Sequence, residues 1–249
     1  MARPPASATF VFAHGLFGFD EIRLPIQPIR YFRGVAEEMT RLGVTAIFPE
    51  VSSRTGVEDR AGDLAKQIAG LAGDELVLVG NSMGGLNARY LTAHLDPAAR
   101  VRAVVTVGTP HRGSPMADDT LATGGPRGWL GRLFFDTSIG ALTGEACRAF
   151  NATVADREDV IYLSFAAARP VPELSVHLRT AGKLIAEREG DNDGLVSVAS
   201  AQWGQGHETL RADHMELIGW SFGLPDARAE RPFDHLALYR RIVTEVTNQ

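Results

Sequence analysis

Short apolar runs rich in β-branched residues alternate along this chain with segments of helical periodicity. The runs predict strands at residues 9–13, 44–48, 75–79, 101–107 and 160–165. Segment 57–71 has apolar residues at helical spacing, and 234–246 predicts a last helix with Asp234 as its N-cap. This alternation is typical of βαβ units, whose parallel strands are buried on both faces. The sequence therefore predicts an α/β fold with a mostly parallel central sheet flanked by helices.

Length and composition fit one globular domain. The 249 residues suffice for a sizeable core, so residues 1–249 are predicted to form a single domain. Hydrophobic residues make up 45% and charged residues 22%, which is typical of soluble globular proteins and indicates neither a disordered nor a fibrous protein. A net charge of −5, without a block of Lys and Arg, argues against a nucleic-acid partner.

The cellular location of the protein is predicted from the lack of a membrane-spanning run, the lack of a signal peptide and the single cysteine. No apolar run approaches the roughly 18 residues of a bilayer span, so no integral membrane segment is predicted; transient contact with a lipid interface stays open. The first residues lead directly into the strand at 9–13, without the apolar region of a signal peptide. Cys147 is the one cysteine, which suits a reducing compartment. We predict a cytoplasmic protein, with non-classical secretion as the alternative; the sequence carries no signal of oligomeric state.

Residues 116–144 interrupt the alternation and are predicted to be a lid or cap insertion. The segment is first rich in Gly and Thr and then presents Trp129, Leu130, Leu133, Phe134, Phe135, Ile139 and Leu142. It is either a satellite core helix or a mobile lid. Both interpretations put apolar side chains near the site.

The sequence Gly80-Asn-Ser-Met-Gly84 follows the apolar run 76–79 and precedes a helix-like segment, 86–91. Gly-x-Ser-x-Gly between a strand and a helix is typical of a nucleophile elbow, a tight turn that exposes the serine Oγ. Side chains at Gly80 and Gly84 would collide with neighbouring backbone. The pattern predicts Ser82 as a nucleophile rather than a serine in an ordinary turn.

His14-Gly15-Leu16 stands at the end of the first predicted strand. A tetrahedral oxyanion needs two preset donors, and in folds built on a nucleophile elbow one follows the nucleophile and the other follows an early strand. We predict the backbone N–H groups of Leu16 and Met83 as the oxyanion donors. His14 itself is interpreted as a packed histidine that shapes the loop, not as a proton-transfer group.

A serine hydroxyl needs a base, and in folds built on a nucleophile elbow the chain order is Ser, then an acid, then His. His207, His214 and His235 qualify by order. His214 precedes an apolar stretch and can be delivered by a loop, so we predict it as the general base. His235 begins the last helix, as a surface residue, and His207 lies among glycines in a predicted turn.

The acid is predicted in the turn Gly190-Asp-Asn-Asp-Gly194, which holds Asp191 and Asp193. An Asn-Asp-Gly sequence alone indicates only a turn. Its position before His214 in the chain favours a catalytic role, and Asp193 is the better choice because Gly194 follows it.

Several of these segments together resemble the bacterial true lipases of the Pseudomonas and Proteus type, which have the α/β-hydrolase fold. The resemblance spans most of the chain and is carried by His14-Gly-Leu-Phe-Gly-Phe-Asp-Glu-Ile22, Tyr31-Phe-Arg-Gly-Val35, Gly80-Asn-Ser-Met-Gly-Gly85, Thr109-Pro-His-Arg-Gly-Ser114, Asn192-Asp-Gly-Leu-Val196 and Asp213-His214. It implies a core of six strands, a lid after residue 114, and hydrolysis of acylglycerols or other fatty-acyl esters. The family's catalytic residues correspond to Ser82, Asp193 and His214, and its oxyanion donors to Leu16 and Met83.

Further positions follow or depart from the family pattern. The resemblance implies that His111 belongs to a structural turn and that Arg60 supports the loops below the nucleophile. Asn81 stands where the family usually has His. The family's disulfide cannot form, since Ala199 stands in the place of a cysteine partner. The short span from Ser82 to the acid suggests a trimmed cap and a preference for shorter acyl chains or soluble esters.

The calcium site of the family is predicted to be absent. Glu216 stands at the position where the family has an acidic ligand. Trp220 stands where the family has Gln, and an indole supplies no oxygen ligand. Glu216 then becomes a structural residue.

The sequence thus predicts a serine hydrolase that acts on carboxylic esters through an acyl-enzyme on Ser82, with no metal or organic cofactor. An acyltransferase or a thioesterase with the same triad is the alternative, because fold and triad do not choose the acceptor or the leaving group. A catalytically silent binding module is the alternative from another class.

Overall fold

The computed structural model describes residues 8–16, 21–23, 28–52, 54–71, 75–123, 137–221 and 233–248. Its strands are β1 (Thr9–Ala13), β2 (Glu21–Arg23), β3 (Pro28–Arg30), β4 (Ala46–Ile47), β5 (Leu76–Asn81), β6 (Val101–Val107), β7 (Ile161–Ala167) and β8 (Gly206–Leu210). Its helices are α1 (Val35–Arg41), α2 (Val57–Ile68), α3 (Met83–His94), α4 (Pro115–Thr123), α5 (Gly144–Thr153), α6 (Arg179–Glu189), α7 (Val198–Ala201) and α8 (His235–Thr247). Short 3-10 turns lie at Val171–Glu173, Val176–Leu178 and Glu216–Ile218.

Six strands form one sheet in the order β4-β1-β5-β6-β7-β8, and each pairs in parallel with its neighbour. A separate antiparallel hairpin is formed by β2 and β3. The predicted α/β fold, with a parallel sheet of six strands flanked by helices, is therefore confirmed. Because all six strands run the same way, their carboxyl ends meet at one edge of the sheet, where ligands bind in open α/β sheets.

Alternate residues of the central strands enter two separate cores. Phe10 and Phe12 of β1 pack on one face with α1 and α8, whereas Val11 and Ala13 pack on the other with α2 and α3. Both sets are buried, which is why the strand reads as a continuous apolar run rather than as an alternation. The sheet is thus the middle layer of three.

Most predicted elements are present, and the main differences lie at the edges of the six-stranded sheet and in the separate hairpin. β1 and β6 have the predicted bounds, β4 is shorter than predicted, and Asp234 caps α8 by accepting the Ala237 N–H at 2.9 Å. Neither β8 nor the β2–β3 hairpin was predicted. The turn predicted around His207 is wrong, because this residue lies on β8, an edge strand whose central side chains are exposed.

The two flanks of the predicted lid segment are described, and they pack inward. Ala117 and Leu142 are buried in one cluster with Leu16 and Met83. Residues 124–136, with Trp129 and the apolar side chains that follow it, lie outside the described residues. The lid itself therefore stays a prediction. No helix within the described ranges is long and apolar enough to cross a bilayer.

Candidate active site

Ser82 lies between β5 and α3, at the carboxyl edge of the sheet. Its backbone angles are φ 54° and ψ −130°, a region that L residues rarely adopt. Its N–H donates to the carbonyl of Val107 at the end of β6, 2.9 Å away. A strained non-glycine residue held this way at a strand-to-helix turn has the geometry of a nucleophile elbow.

The glycines around Ser82 have the steric purpose predicted from the motif. A Cβ added to Gly80 would overlap the backbone of Gly85, and one added to Gly84 would overlap the carbonyl of Ala13. A side chain at Gly80 would push the start of α3 away from β5, and one at Gly84 would push the elbow away from β1. The close contact between strand, turn and helix therefore requires Gly at both positions.

The loop after β1 closes over the elbow. A Cβ on Gly15 would lie 2.8 Å from Ser82 Cβ, so glycine alone lets the loop come this near. Leu16 follows at once, and Met83 is the first residue of α3. The structure thus brings together the two segments that carry the predicted oxyanion donors.

Arg60 of α2 fixes this loop from below. Its guanidinium donates to the carbonyls of His14 (2.8 Å), Gly15 (3.0 Å) and Ser52. The side chain is fully buried, and burial lowers the pKa of Arg60 to about 10. Its position agrees with the support for the loops that the resemblance implied.

His14 is held as a neutral ring. The Val51 N–H donates to Nε2 at 3.2 Å, so Nδ1 carries the proton and donates to the Gly15 carbonyl at 2.9 Å. Burial, and then the charge of Arg60, lower the pKa of His14 to about 4. These contacts fit a ring that shapes the loop.

Tyr31, just after the β2–β3 hairpin, connects the loop to the elbow. Its hydroxyl accepts the Gly15 N–H at 3.0 Å and donates to Asn81 Oδ1 at 2.6 Å. Asn81 Nδ2 in turn donates to Val107 O at 3.0 Å, the carbonyl that also accepts the Ser82 N–H. Burial raises the pKa of Tyr31 to about 12, which keeps the hydroxyl a donor.

We expect Tyr31→Phe to lower kcat about tenfold with little change in KM. It leaves the buried Gly15 N–H and Asn81 Oδ1 without their partner, which typically costs about 1–3 kcal/mol per buried group. Steady-state kinetics on a soluble ester measure both constants. Tyr90→Phe, at a half-buried tyrosine of α3, is the control. An unchanged kcat in Tyr31→Phe would show that the network does not position the loop.

Asp193 and His214 meet at the same edge of the sheet. Asp193 Oδ2 lies 2.7 Å from His214 Nδ1, and both side chains are buried. Since the carboxylate only accepts, Nδ1 carries the proton and Nε2 keeps its lone pair. The other oxygen, Oδ1, accepts the N–H groups of Leu195 (2.9 Å) and Val196 (2.7 Å), which fixes the carboxylate.

The other candidates lie elsewhere. Asp191 is exposed. His207 is exposed on β8, and His235 Nε2 is 2.7 Å from the Arg33 carbonyl at the start of α8. Of the acids and histidines weighed from the sequence, Asp193 and His214 are therefore the two that the structure pairs.

The pKa of His214 is raised above its ordinary value. Burial opposes the charged ring, but the charge and hydrogen bond of Asp193 and the charge of Asp213 together outweigh burial. A base of this kind is protonated in weak acid and neutral at higher pH.

Gly108 lies between the Asp193–His214 pair and the residue that anchors Ser82. It follows Val107, whose carbonyl accepts the Ser82 N–H, and has φ 59°. A Cβ on Gly108 would lie 3.2 Å from Asp193 Oδ2 and 3.4 Å from His214 Cε1. The elbow and the Asp–His pair therefore lie around the end of one strand, β6.

His111 is structural, as the resemblance implied. Its Nε2 is 3.0 Å from Thr106 Oγ1, and Arg89 donates to Nδ1 at 3.3 Å. The ring stacks on Trp203, with 5.2 Å between centroids. Burial, and then the charges of Arg89 and Arg112, hold the pKa of His111 well below its usual range.

The residues around Glu216 do not fit a calcium ion. Arg169 donates to both carboxylate oxygens of Glu216, at 2.6 and 3.0 Å, and the Asp213 N–H donates to Oε2 at 2.8 Å. The Trp220 indole N–H donates to the Tyr31 carbonyl at 2.9 Å. A carboxylate already bound to a guanidinium, beside an indole, is a poor donor set for a cation that takes six to eight oxygens.

Comparison with known proteins gives one family and several relatives. The family model described as alpha/beta hydrolase fold matches residues 9–136. Triacylglycerol lipase 2 of Saccharomyces cerevisiae is 30% identical over 80% of this chain and 65% of its own length. A triacylglycerol lipase of Pseudarthrobacter phenanthrenivorans is 30% identical over 84% of this chain and 62% of its own length. The chain thus spans less than two thirds of these relatives.

Solved structures show the same architecture. A metagenomic carboxyl esterase superposes with a TM-score of 0.79 at 23% identity, over 100% of this chain and 80% of that one. The lipase of Staphylococcus hyicus superposes with a TM-score of 0.74 at 16% identity, over 100% and 97%. At 23% and 16% identity, this similarity shows a shared fold and nothing beyond the fold.

Proposed function

Because the chain belongs to the alpha/beta hydrolase fold family, we propose that it is a serine hydrolase that cleaves carboxylic esters, as a lipase or carboxylesterase. One observation carries the proposal: a buried Asp193–His214 hydrogen bond lies beside the end of β6, to which the strained Ser82 is anchored. The triacylglycerol lipases among its relatives support ester substrates.

In the proposed acylation step, His214 Nε2 takes the Ser82 hydroxyl proton while Oγ attacks the ester carbonyl carbon. Asp193 stabilises the imidazolium that forms. The carbonyl oxygen becomes an oxyanion and accepts hydrogen bonds from the Leu16 and Met83 N–H groups. When the tetrahedral intermediate collapses, His214 gives its proton to the departing alcohol, and the acyl group stays on Ser82.

Deacylation repeats the same chemistry with water. His214 removes a proton from water, whose oxygen attacks the acyl carbon. The second tetrahedral intermediate uses the same two N–H donors and releases the carboxylic acid, and the proton on His214 returns to Ser82. The cycle balances without a cofactor.

We propose fatty-acyl esters or acylglycerols as substrates. Leu16 and Met83 belong to one apolar cluster with Leu86 and Leu142, and half-buried Ile139 packs against it. The surroundings of the proposed oxyanion donors are therefore apolar, which suits an acyl chain.

A fluorophosphonate probe and an ester panel test the function. We expect the probe to label Ser82, mapped by peptide mass spectrometry, and p-nitrophenyl esters to be hydrolysed. Acyl lengths are compared below and above substrate solubility, because a rate jump on emulsions indicates a working lid. Faster turnover of thioesters, or transfer to an alcohol acceptor, would replace the ester hydrolase by a thioesterase or an acyltransferase. Absence of labelling in folded protein would leave a silent binding module.

We propose that the protein works without calcium, because Arg169 occupies the Glu216 carboxylate. The melting temperature and the ester turnover are expected to be the same in EDTA as in millimolar calcium chloride. Magnesium chloride serves as the control for ionic strength. A melting temperature that falls in EDTA and recovers only with calcium would refute this proposal.

A further inference from the structure

The Asp–His pair depends on two turns that are far apart in the sequence. Asp193 lies in the turn between α6 and α7, and His214 follows β8. One backbone hydrogen bond joins the turns directly, from His214 N–H to the Asp193 carbonyl at 2.9 Å. Among the described strands, β8 lies at the edge of the sheet and pairs with β7 alone, so no further described strand holds the turn of His214.

The turn of His214 is closed by a reciprocal pair of carboxylates. Asp213 Oδ1 accepts the Glu216 N–H at 3.0 Å, and Glu216 Oε2 accepts the Asp213 N–H at 2.8 Å. This exchange is that of a capping box, in which two side chains satisfy each other's backbone donors. Asp213 Oδ2 also accepts the Ser175 hydroxyl at 2.5 Å. His214 therefore lies inside a hydrogen-bonded unit that is held at two points, at Asp213 by Ser175 and at Glu216.

Arg169, two residues beyond β7, holds Glu216. Its Nε and one terminal nitrogen donate to the two carboxylate oxygens, at 2.6 and 3.0 Å, and its side chain is 6% exposed. A bidentate guanidinium fixes both the distance and the plane of its partner. The backbone N–H of Arg169 donates to the carbonyl of Asn192, next to Asp193, at 3.1 Å. One residue thus contacts both turns.

We propose that Arg169 is a positioning residue for the Asp193–His214 pair: its guanidinium holds the turn of His214 against the turn of Asp193. This inference rests on the proposed function. It assigns no contact between Arg169 and substrate. Misplacement of a catalytic group by about 1 Å can cost about 100-fold in rate, so loss of the guanidinium acts on kcat rather than on KM.

The test compares Arg169→Met, Arg169→Lys and Glu216→Gln in the full chain. Active sites are counted by fluorophosphonate titration, so that kcat refers to folded enzyme. We expect Arg169→Met to lower kcat about tenfold or more with KM within twofold. Arg169→Lys keeps the positive charge but cannot donate two parallel hydrogen bonds to one carboxylate, so its kcat is expected to lie between those of Arg169→Met and the parent. The double variant Arg169→Met with Glu216→Gln is expected to lose no more than Arg169→Met alone, because Arg169→Met already removes the guanidinium that binds Glu216.

A spectroscopic readout is independent of substrate. The proton between His214 Nδ1 and Asp193 is expected to give a resolved low-field ¹H NMR signal in the parent, and the signal is expected to broaden or vanish in Arg169→Met. Arg157→Met is the matched control. Arg157 binds Asp96 at 2.8 Å and also Asp159, but it precedes β7 and lies at the opposite end of that strand. The control is expected to keep kcat and the signal.

The outcomes separate this inference from the function. An active parent whose Arg169→Met variant keeps kcat within twofold, or keeps the low-field signal unchanged, overturns the role of Arg169 alone. A lower melting temperature with unchanged kcat per active site also overturns it, because the contact would then be merely structural. A folded parent that neither reacts with the probe nor hydrolyses esters overturns the proposed function and this inference with it.

Discussion

Ser82→Ala is expected to remove ester hydrolysis, with kcat falling on the order of 10⁶-fold. Without Oγ no acyl-enzyme can form, and His214 is left with no proton to take. The elbow is held by the Ser82 N–H bond to Val107 and by close glycine contacts, none of which needs the hydroxyl. The far-ultraviolet circular dichroism and the melting temperature are therefore expected to stay close to those of the parent.

The measurement is hydrolysis of a p-nitrophenyl ester by highly purified variant. Ser164→Ala is the matched control: this serine is buried in β7, and its Oγ accepts the Trp203 N–H at 2.9 Å. Ser164→Ala is expected to lose some stability but keep turnover. Hydrolysis by Ser82→Ala that survives repeated purification would show that another group is the nucleophile.

Asp193→Asn is expected to lower kcat about 10⁴-fold while the fold persists. An amide can donate to Nδ1, which leaves the proton on Nε2 and removes the lone pair that must take the Ser82 proton. Asp191→Asn changes the same chemical group two positions earlier, on an exposed side chain, and is expected to have no effect. A small loss in Asp193→Asn, or equal losses in both variants, would contradict the role of Asp193.

The same substitution changes the pH dependence. In the parent, kcat/KM is expected to rise with pH through an apparent pKa above 6.5, because His214 acts as a neutral base and its pKa is raised. Burial lowers the pKa of His214, and the charge of Asp193 and its hydrogen bond raise it. Asp193→Asn removes these two raising effects, so the pKa of His214 falls. The acid limb of the residual activity is therefore expected to move to lower pH. A limb that stays in place would indicate that another group titrates there.

The interior of the sheet could be predicted from the sequence, whereas its edges could not. β1 and β6 are almost entirely buried on both faces and therefore appear as predominantly apolar runs, in which Arg102 of β6 is the one charged residue. β8 is paired on one side, and its three central residues, from His207 to Thr209, are exposed and polar. A strand that contributes little to the core carries no apolar pattern.

In the candidate site, too, some residues could be predicted from the sequence and others could not. Ser82 could be found because a tight elbow needs glycines at fixed spacing. Asp193 and His214 followed from chain order in a known fold. Tyr31 and Arg169 were not assigned roles, because the role of each depends on a contact with a residue far away in sequence: Tyr31 with Asn81, 50 positions away, and Arg169 with Glu216, 47 positions away. Local spacing holds no signal of such contacts.

The order of the strands determines when the proposed nucleophile and the proposed base are each positioned as the sheet assembles. From β5 onward each new strand joins the same growing side, so the first half of the chain can already hold the serine between β1 and β6. The imidazole comes only with the turn after β8, the outermost strand, and local opening in proteins is easiest where few neighbours hold a segment. A partly synthesised chain would thus hold the proposed nucleophile without its proposed base. Detachment of β8 from β7 would separate His214 from Ser82 and stop the proposed reaction while the central strands stay paired.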